Sequence, residues 1–318
     1  MAQADPFPLA GKRIWVTGGS GFLGRPVLAE LARRGAVALA PTSTECDLLD
    51  PGAAARFIRE HRPQGVIHMA AKVGGIGANR RHPGYFFYTN LTMGLHLAEA
   101  CRAEAVEKLL VLGTVCAYPK FCPVPFREDS LWDGYPEETN APYGIAKKAL
   151  LVQLQAYRQE YGTRGIFLLP VNLYGPGDHL DPENNHVIPA LIRKFLEARA
   201  AGAAQVELWG TGSAFREFLH VDDLALACLF LMETCDSPEL VNVGCGHDIT
   251  IRGLAELIGT VTGFAGQIEW DSSKPDGTPR KLLDVSKLTK LGWQARIPLE
   301  EGIRSTYQWW LKSSGASQ

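Results

Sequence analysis

Tyr143-Gly144-Ile145-Ala146-Lys147 places a phenol and an ammonium four residues apart. On a helix such residues share a face, with Cβ atoms about 6 Å apart. The spacing predicts that the ammonium holds the phenol's pKa down, so that Tyr143 can exchange a proton with a substrate oxygen near neutral pH. Alone the pair is a weak signal, because most such pairs are a solvated Lys beside a half-buried Tyr. Its companions are a hydroxyl at Thr114, a thiol at Cys116, an imidazole at His186 and a glycine-rich turn that begins at Gly18.

Positioning such a set requires a scaffold, and the flanking sequence describes one. Lys12 to Thr17 reads as a strand that runs into Gly18-Gly19-Ser20-Gly21-Phe22-Leu23-Gly24. A helix follows with Leu28 and Leu31 on one face, and it stops at Gly35. Strand, glycine turn and helix form the front of a dinucleotide-binding unit, in which the helix N-terminus faces a pyrophosphate. The second strand, Val37 to Ala40, runs into Ala40-Pro41-Thr42-Ser43-Thr44. No carboxylate stands there to repel a 2′-phosphate and three hydroxyls can donate to one, which favours NADP; as plain turn residues they need no ligand. Asp47-Leu48 is placed to bracket an adenine edge.

The alternation continues. A helix at Ala53 to Glu60 precedes a third strand, Val66 to Ala71, and the loop Lys72 to Gly77 leads to a helix at Tyr85 to Ala103. Lys108 to Gly113 is the fourth strand, with Thr114 and Cys116 at its carboxyl end, where open α/β sheets place their chemistry. The Tyr143 helix runs to Tyr161, and Ile166 to Leu169 is the fifth strand. The fold class is α/β, a Rossmann-type doubly wound parallel sheet with a smaller C-terminal α/β substrate domain. Residues 1–174 form the first domain, with returns near 216–240 and 282–292. Residues 175–318 form mainly the second, to which Leu240 to Val243 is assigned with Thr250 to Thr262 and Ile268 to Trp270. Asp222 and Asp223 are expected to cap the helix after them, and Met1 to Ala10 to be a loose lead-in.

Composition excludes several classes. The net charge is −2, so no basic field points to nucleic acid. The seven cysteines include no C-x-x-C pair, which argues against a metal site or disulfide framework and for a reducing, cytoplasmic setting. No apolar run is long enough to span a membrane.

The chain resembles the extended short-chain dehydrogenase/reductases. It shares the glycine turn, the hydroxyl–Tyr–Lys set and a small C-terminal substrate domain with them. Within that family it is similar to the branch that epimerises and reduces GDP-4-keto-6-deoxy-D-mannose. The marks are Ala70 to Ile76, Leu112 to Lys120, Asn172 to Pro176, His186 to Leu191 and Pro275 to Lys281. The resemblance implies that Cys116 is the base and His186 the acid for epimerisation at C3 and C5. It also implies that Thr114 and Tyr143 donate to O4, and that Lys147 tunes Tyr143 and holds the nicotinamide ribose. NADP(H) is the implied cofactor, held by Gly18, Gly19, Ser20, Gly21, Phe22, Leu23 and Gly24, with Leu112, Gly113, Lys147, Pro170, Asn172, Leu173 and His186. Lys194, Trp209, Arg216 and Asp276 fall where the family contacts the nucleotide diphosphate and base. The family also implies a homodimer through the helices at 85–103 and 142–161. Two positions depart from its pattern: Thr114 stands where Ser is frequent, and Pro41 where some members carry Arg.

Other readings stay open. Cys116 fits a small core residue and His186 a cap or satisfied polar group. Trp209 fits core, Lys194 a solvated helix face, and the remaining cysteines no role. An epimerase or dehydratase with tightly held NAD, an enzyme of another GDP-4-keto sugar such as a heptose, and a cofactor-binding scaffold are the alternatives.

Overall fold

The computed structural model describes residues 6–178, 186–274 and 276–314. Pro275, at the head of one family motif, lies outside them, as do residues 1–5, 179–185 and 315–318 of the two expected domain ranges. The first half of the chain runs β1 (Arg13–Thr17), α1 (Gly24–Arg33), β2 (Val37–Leu39), α2 (Ala53–His61), β3 (Gly65–His68), α3 (Ile76–Arg81), α4 (Pro83–Ala103), β4 (Lys108–Leu112), α5 (Ala141–Tyr161) and β5 (Gly165–Pro170). It continues with β6 (Asn172–Tyr174), α6 (Val187–Ala200), β7 (Gln205–Trp209), β8 (Phe215–Arg216), β9 (Phe218–His220), α7 (Val221–Thr234) and β10 (Val241–Val243). Last come β11 (Ile249–Thr250), α8 (Ile251–Thr262), β12 (Gln267–Asp271), β13 (Arg280–Lys281), α9 (Ser286–Lys290) and α10 (Leu299–Ser314).

Six parallel strands form the main sheet in the order β10-β5-β4-β3-β1-β2. Strands β3, β4 and β5 are buried along their whole length. Continuous Val, Leu and Ile runs suit strands covered by helices on both faces. The strand order reverses between β1 and β3, and there the sheet opens a crevice at its carboxyl ends. Strand β3 stops at His68 because the Thr17 hydroxyl accepts the amides of Met69 and Ala70, both at 3.2 Å. The chain then crosses the glycine turn: a Cβ on Gly18, whose φ is +73°, would meet the Ala70 backbone at 3.0 Å.

Several expectations change here. Strand β10 pairs with β5 at the edge of the main sheet, not with the small unit, because Val241 and Val243 are wholly buried in the main core. The loop after Lys72 contains the short helix α3 before Pro83 starts α4. The lead-in is anchored from residue 7: Phe7 and Leu9 are buried, and the Phe7 amide donates to the Glu233 carbonyl at 3.0 Å. Asp222 and Asp223 do not cap α7. His220 occupies the cap, its Nδ1 accepting the Asp222 amide at 3.3 Å, while the buried Asp223 carboxylate accepts the amides of Arg296 and Ile297 at 3.0 and 2.9 Å.

A second core lies apart from the sheet. Tyr174, Ile188, Phe195, Leu208, Ile258 and Ile303 are among its buried members, brought together from α6, α8, α10 and strands β6 and β7. The parallel pair β6–β9 leads between the two cores.

The approach of α5 to the turn after β4 is very close. A Cβ at Gly144 would stand 2.7 Å from the Cys116 carbonyl oxygen and 3.2 Å from Ala117 Cα. The same turn is tied to the sheet edge by Asn242, whose Oδ1 accepts the Tyr118 hydroxyl at 2.8 Å. The Asn242 amide group donates to the carbonyls of Phe126 at 2.9 Å and Asp284 at 3.2 Å. Gly144→Ala should therefore push α5 off this turn and cost about 1–3 kcal/mol in urea unfolding, with a larger proportional loss of turnover. Wild-type stability and turnover in that variant would show that the contact does not set the site.

Candidate active site

A cleft of about 560 Å³ runs along the carboxyl ends of β1, β3, β4 and β5. At one end it is lined by Gly18, Ser20, Gly21, Phe22, Leu23 and Gly24; further along come Leu112, Gly113, Pro170, Asn172 and Leu173. Thr114, Cys116, Tyr143, Lys147 and His186 line the same cleft. Gly19 is the exception: it faces away, and a Cβ there would strike the Ala40 side chain at 2.7 Å. Its role is to let the turn pack on β2. The glycine turn, the start of α1 and a continuous cavity toward Tyr143 and Lys147 fit a dinucleotide laid across the sheet.

Thr114 caps the short 3₁₀ turn Val115–Ala117, its Oγ1 accepting the Cys116 amide at 3.2 Å. That bond uses a lone pair and leaves the hydroxyl proton free for a ligand. Cys116 is partly exposed. Cys245 is also partly exposed, but its thiol contacts the carbonyls of Phe218 and His247 at 3.4 and 3.3 Å.

Tyr143 departs from expectation. Burial pushes the phenol's pKa well up, and the nearby Cys116 adds to the rise. Lys147 is 1% exposed, and burial pushes its own pKa down to about 8. Removing two ionisable groups from water outweighs their proximity, so the phenol is kept protonated rather than activated as a base. Beneath Lys147 lies the buried His68. Burial and the Lys147 charge hold His68 neutral, and its Nδ1 sits 2.8 Å from the Thr17 hydroxyl.

His186 stands before α6 without capping it. Its Nδ1 lies 3.1 and 3.2 Å from the two oxygens of the buried Asp178. This contact raises the imidazole's pKa against the opposing effect of burial. The sequence reading missed Asp178, since nothing in an eight-residue separation announces the pair. It also missed Asn140, which lines the cleft at the start of α5, with its Nδ2 donating to Glu137 at 2.8 Å.

The four residues expected at the nucleotide end do not line this cleft. Burial lowers the pKa of Arg216, while Asp276 and Cys116 oppose that shift, so its guanidinium lies within electrostatic reach of the thiol. Trp209 is 67% exposed, which rules out the core reading. Lys194 extends along β7 to the Glu207 carbonyl at 2.9 Å. Both Asp276 oxygens hold Thr211, at 2.7 Å from its amide and 2.7 Å from its hydroxyl, so its carboxylate braces a loop.

The turn after β2 carries one contact more than the sequence reading described. Thr42 and Ser43 line the cleft, but Glu45, one residue beyond the stretch read as free of carboxylates, folds back onto Thr42.

Residues 14–244 match the family described as the NAD dependent epimerase/dehydratase family. A GDP-L-fucose synthase 1 of Arabidopsis thaliana is 46% identical over 95% of this chain and 94% of its own length. The GDP-L-fucose synthase of Escherichia coli K12 is 44% identical over 96% and 98%. A crystal structure of a GDP-L-fucose synthetase from Naegleria fowleri bound to NADP superposes with a TM-score of 0.89 at 27% identity, covering 100% of this chain and 99% of that one. With its glycine turn, its Tyr143–Lys147 pair and its cleft at the switch in strand order, the chain belongs to the NAD dependent epimerase/dehydratase family, in the company of the GDP-L-fucose synthases.

Proposed function

We propose that the protein converts GDP-4-keto-6-deoxy-D-mannose to GDP-L-fucose, by epimerisation at C3 and C5 and NADPH-dependent reduction at C4. The observation that carries the reading is that Cys116 and His186 share one cleft with Thr114, Tyr143 and Lys147. A plain 4-epimerase has no use for a thiol and an imidazole beside its Tyr and Lys.

The C4 ketone acidifies the protons on C3 and C5. Cys116 removes each from one face, and His186, whose pKa is raised by its contact with Asp178, returns one to the other. Negative charge developing on O4 is met by the Thr114 hydroxyl and the Tyr143 phenol. When bound, NADPH supplies the hydride for C4. Tyr143 then delivers its proton to O4, a task suited to a phenol whose burial keeps it protonated. Lys147, at about 8, holds the cofactor ribose and shares the charge left on Tyr143. Arg216, within electrostatic reach of both Cys116 and Asp276, is assigned to the diphosphate, with Lys194 and Trp209 assigned to the nucleoside.

Cofactor binding is assigned to residues 1–174 with the returns, joined by β10, and sugar-nucleotide binding mainly to 175–318, whose core also takes in Tyr174. A homodimer through α4 and α5 is supported by exposed apolar side chains along them, including Tyr85, Tyr88, Leu95 and Val152. The cytoplasm is supported by the seven unpaired cysteines. Among the described residues no helix is long and apolar enough to cross a membrane.

The decisive assay follows NADPH oxidation with GDP-4-keto-6-deoxy-D-mannose in deuterated water, with the product read by NMR. Oxidation with deuterium at C3 and C5 and a fucose-configured product is expected; exchange without oxidation would mark an epimerase instead. Tyr143→Phe should lower reduction about a hundred- to ten-thousand-fold. Full turnover in that variant would remove Tyr143 from the chemistry. Cys116→Ser should suppress deuterium incorporation at both carbons, and unchanged incorporation would refute the base assignment. Because Asp178 favours the imidazolium, Asp178→Asn should move the alkaline limb of the exchange rate to lower pH. An unmoved limb would separate the two residues functionally.

A further inference from the structure

Thr17 and His68 stand side by side at the carboxyl ends of β1 and β3, in register across the parallel pair. Both are buried. His68 does not line the cleft, whereas Thr17, Gly18, Met69 and Ala70 do. A hydroxyl has one proton to give and two lone pairs with which to accept. The Thr17 oxygen accepts the amides of Met69 and Ala70, both at 3.2 Å, so both lone pairs are in use. Its proton has one partner left, the His68 Nδ1 at 2.8 Å.

That count fixes the imidazole. Nδ1 accepts, so the ring proton of the neutral form sits on Nε2. The buried Nε2 has no hydrogen-bond partner among the described residues. An imidazolium would have no lone pair for the Thr17 proton, and burial with the Lys147 charge keeps that form away. Without an acceptor at Nδ1 the hydroxyl must turn to another, and its lone pairs then leave the line of one or both amides. Those amides hold the Met69–Ala70 backbone against the glycine turn, where Ala70 lies 3.0 Å from the place of a Gly18 Cβ. Two walls of the cleft are set there by one hydroxyl.

We propose that His68 is a positioning residue for the dinucleotide: by accepting the Thr17 proton it aims both lone pairs of that hydroxyl at Met69 and Ala70, and so sets the width of the cleft beside the glycine turn. The proposal rests on the reading of the cleft as the NADP(H) site, and it is independent of the sugar that reacts there. The acceptor at Nδ1 adds little to folding, because the same ring buries a donor with no partner. Affinity and stability therefore separate.

The test sets the dissociation constant of NADP⁺, from isothermal titration calorimetry on the full chain without sugar, beside the midpoint of urea unfolding. His68→Leu fills the space without an acceptor. It is expected to weaken NADP⁺ about tenfold, in keeping with one hydrogen bond, while the midpoint stays or rises. His68→Asn puts an amide oxygen where Nδ1 stood and is expected to bind within about twofold of the wild type. Thr17→Val should weaken binding as well, and adding His68→Leu to it should cost nothing more, because the two residues act as a unit. Wild-type affinity in His68→Leu overturns the proposal. Equal losses in His68→Leu and His68→Asn, or a midpoint that falls in step with affinity, would mark a packing role and overturn it too. So would full additivity of Thr17→Val and His68→Leu. A wild type that binds no NADP⁺ overturns it together with the reading of the cleft.

Discussion

Helix α5 lies against the carbonyl of Cys116 at a point where only a hydrogen fits between the two backbones. Everything the site can do depends on that approach. Gly144 follows Tyr143 directly, so the contact that brings the helix in also fixes the height of the phenol above the sheet. Across the gap, the turn that carries Cys116 is held by the hydroxyl of Thr114 and, from below, by Tyr118 and Asn242. A phenol, a hydroxyl and a thiol from two separate elements are thus held together by backbone packing. None of the three relies on a flexible side chain to reach its place.

The electrostatics follow from the same closeness. A phenol and an ammonium one helical turn apart invite the expectation of a lowered phenol pKa. In the folded chain, burial dominates: Tyr143 rises and Lys147 falls. The pair is better described as an acid kept loaded than as a base made ready. His186 is set in a different way, since the buried Asp178 carboxylate at 3.1 Å raises its pKa. The protonated forms of Tyr143 and His186 are thus favoured by different means, desolvation for the phenol and pairing for the imidazole.

Much of this was legible in the sequence. Alternating buried strands and helices announced the parallel sheet, and Gly18, Thr114, Cys116, Tyr143 and His186 all proved to line one cleft. What escaped the sequence was set by contacts between distant residues. Asp178 is recognisable as His186's partner only from their contact in the folded chain. Strand β10 reads like any short apolar run, and only its pairing with β5 places it in the main sheet. The aspartates before α7 look like caps by residue type, yet Asp223 is drawn to the amides of Arg296 and Ile297 instead. The contact of Glu45 with Thr42 escaped notice because it comes from a turn that reverses onto Thr42.

Asn242 bears on the order in which the molecule is built. Its partners Tyr118 and Phe126 lie 124 and 116 residues earlier in the chain, and the Asp284 carbonyl 42 residues later. Contacts of such long range form late, because the loop between them must first be closed against chain entropy. The glycine turn and β1 can assemble from neighbouring segments, whereas the turn bearing Cys116 finds its buried support only after residue 284 has been made. During synthesis the buried support of that turn is therefore among the late contacts to form.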